Sequence, residues 1–230
     1  MRDTAGFRLL GTGRASWVFD LGDGTVLRRR RNLASSELEA DVMRWAREHG
    51  VAVPRVIDAQ GPDLIMERVA GPTLLDVVQA DPGIAPQAGE TLAAFHRSLD
   101  RVPPIRALPT RHAEPTPGSA WGLLHGDLHP ANILQSPTGP VLVDWTNAGT
   151  GARAADVAET WLILLCADPG LGPSWTSIRP RIVESMLAGV DRAAAAEYLE
   201  AAAVTRLHDP STSETEKATI RMLLAEQSYQ

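Results

Sequence analysis

The stretch Leu123 to Trp145, LLHGDLHPANILQSPTGPVLVDW, decides how the rest of the chain is read. Asn132-Ile133-Leu134-Gln135 and Val141-Leu142-Val143-Asp144 are two short apolar runs. Ser136-Pro137-Thr138-Gly139-Pro140 between them is rich in turn formers, so the segment predicts a β-hairpin. If the hairpin closes symmetrically, position 132 faces 144. Directly opposed residues in an antiparallel ladder hold their Cβ atoms roughly 4.5–5.5 Å apart on one face, so an amide oxygen and a carboxylate would converge. Mg²⁺ takes oxygen ligands, usually one or two protein carboxylates, and completes its shell with water and substrate phosphate. Asp127, on the loop entering the hairpin, would add a proton acceptor at the same end. Blander alternatives stand beside this one: Asp and Asn at strand ends cap turns, and His125, Asp127, His129 and Asp144 could hold a transition metal in a hydrolase.

The wording of the motif narrows the choice. His125-Gly126-Asp127-Leu128-His129-Pro130-Ala131-Asn132, followed by Val143-Asp144-Trp145, resembles the catalytic loop and metal-binding Asp of the aminoglycoside phosphotransferase and choline kinase families. These are relatives of protein kinases in which HGDxxxxN stands for HRDxxxxN. The resemblance implies an α+β, two-lobed protein-kinase-like fold. Residues 1–69 would form a small antiparallel sheet plus helix that binds nucleotide, and 70–230 a larger, mainly helical catalytic lobe. It also implies ATP and Mg²⁺ as cofactors, Asp127 as the catalytic group and Asn132 and Asp144 as metal ligands. The acceptor would be a hydroxyl of a small molecule, such as an aminoglycoside, another cationic antibiotic or an aminoalcohol.

Length and composition agree with such a chain. With 230 residues, 44% of them hydrophobic, it can bury a substantial core as one large domain or two lobes. The start, MRDTAGFRLL, lacks a charged segment followed by a sustained apolar run, and the most apolar stretch, Trp161 to Cys166, is too short to span a bilayer. A cytoplasmic location and no membrane partner are the expectation. Cys166 is the sole cysteine and reads as a buried thiol within Ile163-Leu164-Leu165-Cys166. A net charge of −6 argues against a nucleic-acid polymer as partner and is compatible with a cationic substrate. The chain is expected to be a monomer or homodimer.

Strands are predicted over Phe7 to Leu10, Trp17 to Leu21 and Thr25 to Arg29, the last two joined by Gly22-Asp23-Gly24. The loop Gly11-Thr12-Gly13-Arg14-Ala15-Ser16 lies where a kinase covers the phosphates, with Ser16 in place of the last glycine of GxGxxG. Gly11, Gly13 and Ser16 are thus candidate nucleotide contacts. In the resembling kinases the third strand carries a Lys that pairs with a Glu on the next helix. Here Lys217 is the only lysine, and Arg28 is the closest replacement, with Arg30 in reserve. Val26, Arg28 and Arg30 share a face by strand alternation, while Arg29 and Arg31 read as a solvated basic edge. Guanidinium keeps the charge and grips oxygens as a fork, but it is bulkier than an ammonium. A helix is predicted from Ser35 to His49 with Leu38, Val42 and Trp45 as its apolar stripe. Glu39 beside the stripe is the candidate partner of Arg28, an exposed surface carboxylate being the alternative. Val53 to Ile57 and Asp63 to Arg68 complete the sheet. Met66-Glu67-Arg68-Val69 is the expected linker past the adenine, which makes Glu67 a nucleotide-site candidate.

Helices are expected at Leu74 to Ala80, Ala85 to Arg101, Ala152 to Ala167 and about 175–188, 192–207 and 213–228. The Pro-rich stretch Arg101 to Ser119 is expected to border the acceptor. His96 reads as a core histidine, and Asp156 as a support of the catalytic loop, a substrate contact or a plain first-turn acid. The last helices carry Glu184, Asp191, Glu197, Glu200, Glu214 and Glu216. In the resembling antibiotic kinases this region helps to hold polycationic acceptors, so a negative pocket is expected. Besides the phosphotransferase, two alternatives remain: a degenerate nucleotide-binding or regulatory relative, and the metal hydrolase.

Overall fold

Residues 2–13, 16–112, 120–210 and 212–227 are described by the computed structural model; Arg14 and Ala15 of the glycine-rich loop and 113–119 of the Pro-rich stretch lie outside them. Among the described residues, five strands form an antiparallel sheet in the order β1-β2-β3-β5-β4: β1 Arg8–Thr12, β2 Ser16–Asp20, β3 Thr25–Arg30, β4 Val56–Gln60 and β5 Asp63–Glu67. β3 lies at the centre, and its Leu27, Arg28 and Arg29 are all buried. Arg29 is therefore not a solvated edge residue. Its cross-strand partner on β5 is Asp63, and its Nε and Nη2 donate to that carboxylate at 2.6 and 2.8 Å.

Helix α1, Glu37–Glu48, buries Glu39, Ala40, Val42, Met43 and Ala46. Leu38, expected in that stripe, is 43% exposed. Two arginines of β3 draw Glu39 inward, because a buried guanidinium requires an opposing charge, and this turns the helix so that its neighbour faces water.

The rest of the chain is mainly helical: α2 Leu74–Ala80, α3 Ala85–Leu99, α4 Arg153–Cys166, α5 Pro173–Ala188, α6 Arg192–Ala196, α7 Leu199–His208 and α8 Glu214–Gln227. α2 starts at a reciprocal Thr73–Asp76 capping box. The single helix expected over 192–207 breaks at Glu197 and Tyr198, with Tyr198 buried among α4, α7 and α8. No helix of the described residues is long and apolar enough to cross a membrane.

Helices α3 and α5 cross at Gly89. A β-carbon there would lie 2.3 Å from Ile182 O and 2.7 Å from Met186 N. On an exposed helix Ala is more favourable than Gly by about 1 kcal/mol. At this crossing Gly89→Ala is instead expected to destabilise the protein by about 1–3 kcal/mol, the usual cost of overpacking. Urea unfolding measures it, and unchanged or increased stability would show that the two helices separate freely.

The hairpin is present as β7, Ile133–Ser136, and β8, Gly139–Leu142, with Ile133 opposite Leu142 and Ser136 opposite Gly139. The turn is only Pro137-Thr138, so 132 opposes 143 rather than 144. A second two-stranded sheet joins β6, Trp121–Leu124, to β9, Gly149–Ala152. β9 reads Gly-Thr-Gly-Ala and has no strand propensity to announce it. Leu123, Leu128, Ile133, Leu142 and Trp145 are each under 2% exposed and pack into the core that also holds Val78 and Leu92. At about 1.5–3 kcal/mol for each large apolar side chain buried, they anchor the loop between them firmly.

Buried His96, on α3, has Nε2 3.0 Å from Thr160 Oγ1 and lies against α4. Burial pushes its pKa down to about 4, with Asp100 opposing weakly. A depressed histidine favours the fold fully above its unfolded pKa near 6.5 and loses that contribution as pH falls towards 4. Between pH 7 and 4.5 the protein should lose on the order of 2–3 kcal/mol from this group, and His96→Gln should flatten that segment of the urea-measured stability profile.

Candidate active site

The segment that enters the hairpin, from His125 onward, is held from behind by one buried carboxylate. Asp156, in the first turn of α4, accepts from His125 N at 3.2 Å and from Gly126 N at 2.8 Å, and it is 2% exposed. Burial raises its pKa, partly offset by the two N–H groups it accepts from. Of the roles open to Asp156, loop support is the one its contacts describe.

Gly126 has φ +72° and lies so close to Asn147 O and Arg111 that a β-carbon would meet them at 2.4 and 2.8 Å. The site therefore requires glycine. His125 is fully buried, with Nε2 donating to Val143 O at 3.1 Å and Nδ1 accepting from Asp127 N at 3.3 Å. Since a carbonyl can only accept and an N–H only donate, the ring is the neutral Nε2–H tautomer, in accord with a pKa lowered by burial. Both nitrogens are engaged in holding backbone. No group of three His, Cys, Asp or Glu among the described residues is arranged to hold a metal ion, and His125, one of the four ligands that the hydrolase alternative needs, has both nitrogens on backbone groups.

Asp127 follows, with its side chain 25% exposed. Asn132 Nδ2 donates to Asp127 O at 2.9 Å and reaches Oδ2 at 3.4 Å, while His129 Nε2 lies 3.7 Å from Oδ2. Burial pushes the Asp127 carboxyl up, but His129 and Arg206 outweigh it and hold the group below the usual carboxylate range. It is ionised at neutral pH.

On the other side of the hairpin, Val143 N donates to Asn132 O at 2.9 Å, and the chain then turns at Asp144 with φ +62°. That left-handed residue, one beyond the two-residue register, is how the carboxylate is presented despite the shorter turn. Asp144 Oδ1 accepts from Thr146 Oγ1 at 2.7 Å and from Arg28 Nη1 at 3.2 Å. Arg28 Nη2 bonds Glu39, and Arg30 Nη2 reaches the same Glu39 oxygen at 2.9 Å.

The structure thus joins Glu39, Arg28 and Asp144 in one chain of contacts and Asn132 with Asp127 in another, linked through the hairpin backbone. Asn132 uses Nδ2 as donor, which leaves its amide oxygen as the acceptor atom, and the Asp144 side chain is 43% exposed. One amide oxygen and one carboxylate are a donor set that suits Mg²⁺. Gly11 and Gly13 are exposed near the β1–β2 turn, and Ser16 is buried at the start of β2, where Gly13 N bonds Ser16 O at 2.9 Å. Glu67 is exposed at the end of β5, accepts from Arg55 N at 3.2 Å and borders a groove other than the one at Asp127.

Beside Asp127 opens a cavity of about 290 Å³, with Asp168, Arg206 and Glu216 among its polar wall and Leu75, Ile163, Leu164 and Trp175 among its apolar wall. Of the six acids expected to make a negative pocket only Glu216 lines it, and the other five are exposed elsewhere. The described part of the Pro-rich stretch does not line it either. Instead Arg111 is docked on the loop, donating to Asn147 O at 3.0 Å and to both Glu159 oxygens at 3.0 and 3.1 Å. Arg111, Glu159 and Arg206 escaped sequence reasoning. Only Glu159 left a signal, as an acid one turn beyond Asp156 in an otherwise apolar helix.

Comparison with known proteins gives the same class. The model of the phosphotransferase enzyme family matches residues 7–119 and 105–204, and the chain belongs to that family. A probable serine/threonine-protein kinase BUD32 homolog of Archaeoglobus fulgidus is 24% identical over 162 residues, 70% of each chain. Among solved structures, APH(2")-IIia in complex with GDP and kanamycin matches with TM-score 0.60 and 15% identity, covering 98% of this chain and 93% of that one. Aminoglycoside phosphotransferase APH(3'')-Id from Streptomyces rimosus matches with TM-score 0.57 and 18% identity, over 86% and 92% of the two chains. These similarities place the chain in the two-lobed, kinase-like fold.

Proposed function

We propose that this protein is an ATP- and Mg²⁺-dependent phosphotransferase that moves the γ-phosphate to a hydroxyl of a small molecule. What carries the proposal is the ionised Asp127 at the edge of a cavity, beside an Asn132 and Asp144 pair that suits Mg²⁺. In this reading residues 1–69 bind the nucleotide and 70–230 the acceptor, with the protein working in the cytoplasm.

Asp127 orients the acceptor hydroxyl and takes its proton as the oxygen bonds to the γ-phosphorus and the bond to the bridging oxygen of ADP breaks. Asn132 and Asp144 would hold Mg²⁺, which would supply neutralisation of phosphate charge. Arg28, kept in place by Glu39, turns its fork to the phosphates, and Gly11, Gly13 and Ser16 are their further contacts. Glu67 stands at the linker past the adenine. Catalysis of this kind consists of positioning and charge neutralisation, so few side chains suffice.

A second reading, a nucleotide-binding relative without turnover, is favoured by one observation: Arg28 is already engaged by both Glu39 and Asp144. Thermal-shift titration with Mg·ATP, followed by ADP release across hydroxyl acceptors, separates the two. Nucleotide binding without acceptor-dependent ADP release supports the second, and no nucleotide binding refutes both.

A further inference from the structure

Resting on the phosphotransferase reading, we propose that Arg206 is the specificity-determining residue of the acceptor cavity: a built-in counter-cation that restricts the site to compact hydroxyl compounds bearing at most one positive charge. Arg206 comes from α7 and is 7% exposed, yet it forms part of the cavity wall. Its Nε donates to Glu216 Oε1 at 2.8 Å, and its Nη1 lies 3.4 Å from Asp127 Oδ1 and 3.7 Å from Glu159 Oε1. Burial works against the charge, but Glu216, Asp127 and Glu159 together keep the guanidinium protonated. Glu159 is not available to a ligand, since Arg111 binds both its oxygens and His112 Nε2 lies 2.9 Å from Oε2.

The charges that remain for an acceptor are few. Glu216 is matched by Arg206, and Asp127 is committed to the reacting hydroxyl. Among the described residues, Asp168, exposed at the cavity wall, is the one lining carboxylate left to meet an ammonium. A second ammonium inside would have to compete with Arg206 for Glu216 and Asp127, which the guanidinium already engages at 2.8 and 3.4 Å. Volume points the same way: about 290 Å³ lies at the bottom of the range of roughly 300–1,000 Å³ for ligand pockets. Leu75, Ile163, Leu164 and Trp175 offer an apolar wall to a carbon skeleton. The cavity therefore does not suit a polycation, although the chain as a whole carries a net charge of −6.

The test is calorimetric titration of the full chain with kanamycin as polycation, choline as compact monocation and ribose as neutral polyol, each with and without Mg·ADP. The parent should bind kanamycin at least tenfold more weakly than the better of the two compact probes. Arg206→Gln should gain at least tenfold for kanamycin alone, and Arg206→Lys, which keeps the charge, should behave as the parent. A folded Arg206→Gln protein with unchanged kanamycin affinity overturns the proposal. If that variant does not fold, the parent's ranking decides, and kanamycin binding tighter than choline and ribose overturns it. Failure of the parent to bind Mg·ADP would instead refute the phosphotransferase reading, while the nucleotide-free titrations still report on Arg206.

Discussion

Replacing Asp127 by Asn should lower acceptor-dependent ADP release by a factor of about 10²–10⁴, the usual contribution of a positioned general base. Affinity for Mg·ATP should change by less than about threefold, since a loss confined to the transition state leaves ground-state binding in place. The substitution preserves volume but removes the charge that Arg206 faces at 3.4 Å, and it turns one amide hydrogen pair towards Asn132 or Arg206, both of them donors. A stability cost of about 1–2 kcal/mol is expected from that mismatch, so circular dichroism and thermal unfolding must accompany the kinetics. A folded Asp127→Asn protein that releases ADP at the parental rate would remove Asp127 from the chemistry.

The second large effect is expected at Arg28. Arg28→Ala deletes a buried guanidinium that spans Glu39 on α1 and Asp144 after the hairpin. Removing one member of a buried pair commonly costs 3–5 kcal/mol (about the upper bound here) because a charge is left uncompensated. Arg30 still reaches Glu39 at 2.9 Å, and Asp144 keeps Thr146 and water, so a smaller loss of about 1–3 kcal/mol is expected. Nucleotide affinity should suffer more. Two charge-assisted hydrogen bonds to phosphate are worth about 3 kcal/mol together, roughly a hundredfold in the dissociation constant for Mg·ATP. Arg28→Lys should recover most of this, because an ammonium at the same position also meets a phosphate oxygen. If Arg28→Ala binds Mg·ATP as tightly as the parent, the phosphate contact belongs to Arg30 or to neither.

Local chemistry carried far along this chain. The two apolar runs around Pro137-Thr138 are a hairpin because turn formers lie between them, and HGDLHPAN followed by VDW pointed to the class through its resemblance to a known kinase motif, in agreement with the family match. The helices over 74–80, 85–99 and 153–166 were legible from periodicity, and His96 and Cys166 were legible as buried groups.

What escaped are properties of residues far apart in the chain. Arg29 looks like a surface cation until Asp63 arrives from β5, and Leu38 looks like core until two arginines claim the adjacent Glu39. β9, with its glycines, is a strand only because β6 lies beside it. The register of the hairpin differs by one residue from the symmetric closure, and only a positive φ at Asp144 brings the carboxylate back into play.

Short-range preferences were therefore enough to name the hairpin, and the wording of the motif from His125 to Trp145 was enough to show its resemblance to the kinase-like class. The place of Arg206 in the wall of the cavity beside Asp127 was decided by packing: it lies 79 positions from Asp127 and reaches it because α7 folds against α4. Coulomb energy depends on distance in space and on burial, and neither can be read from separation along the chain.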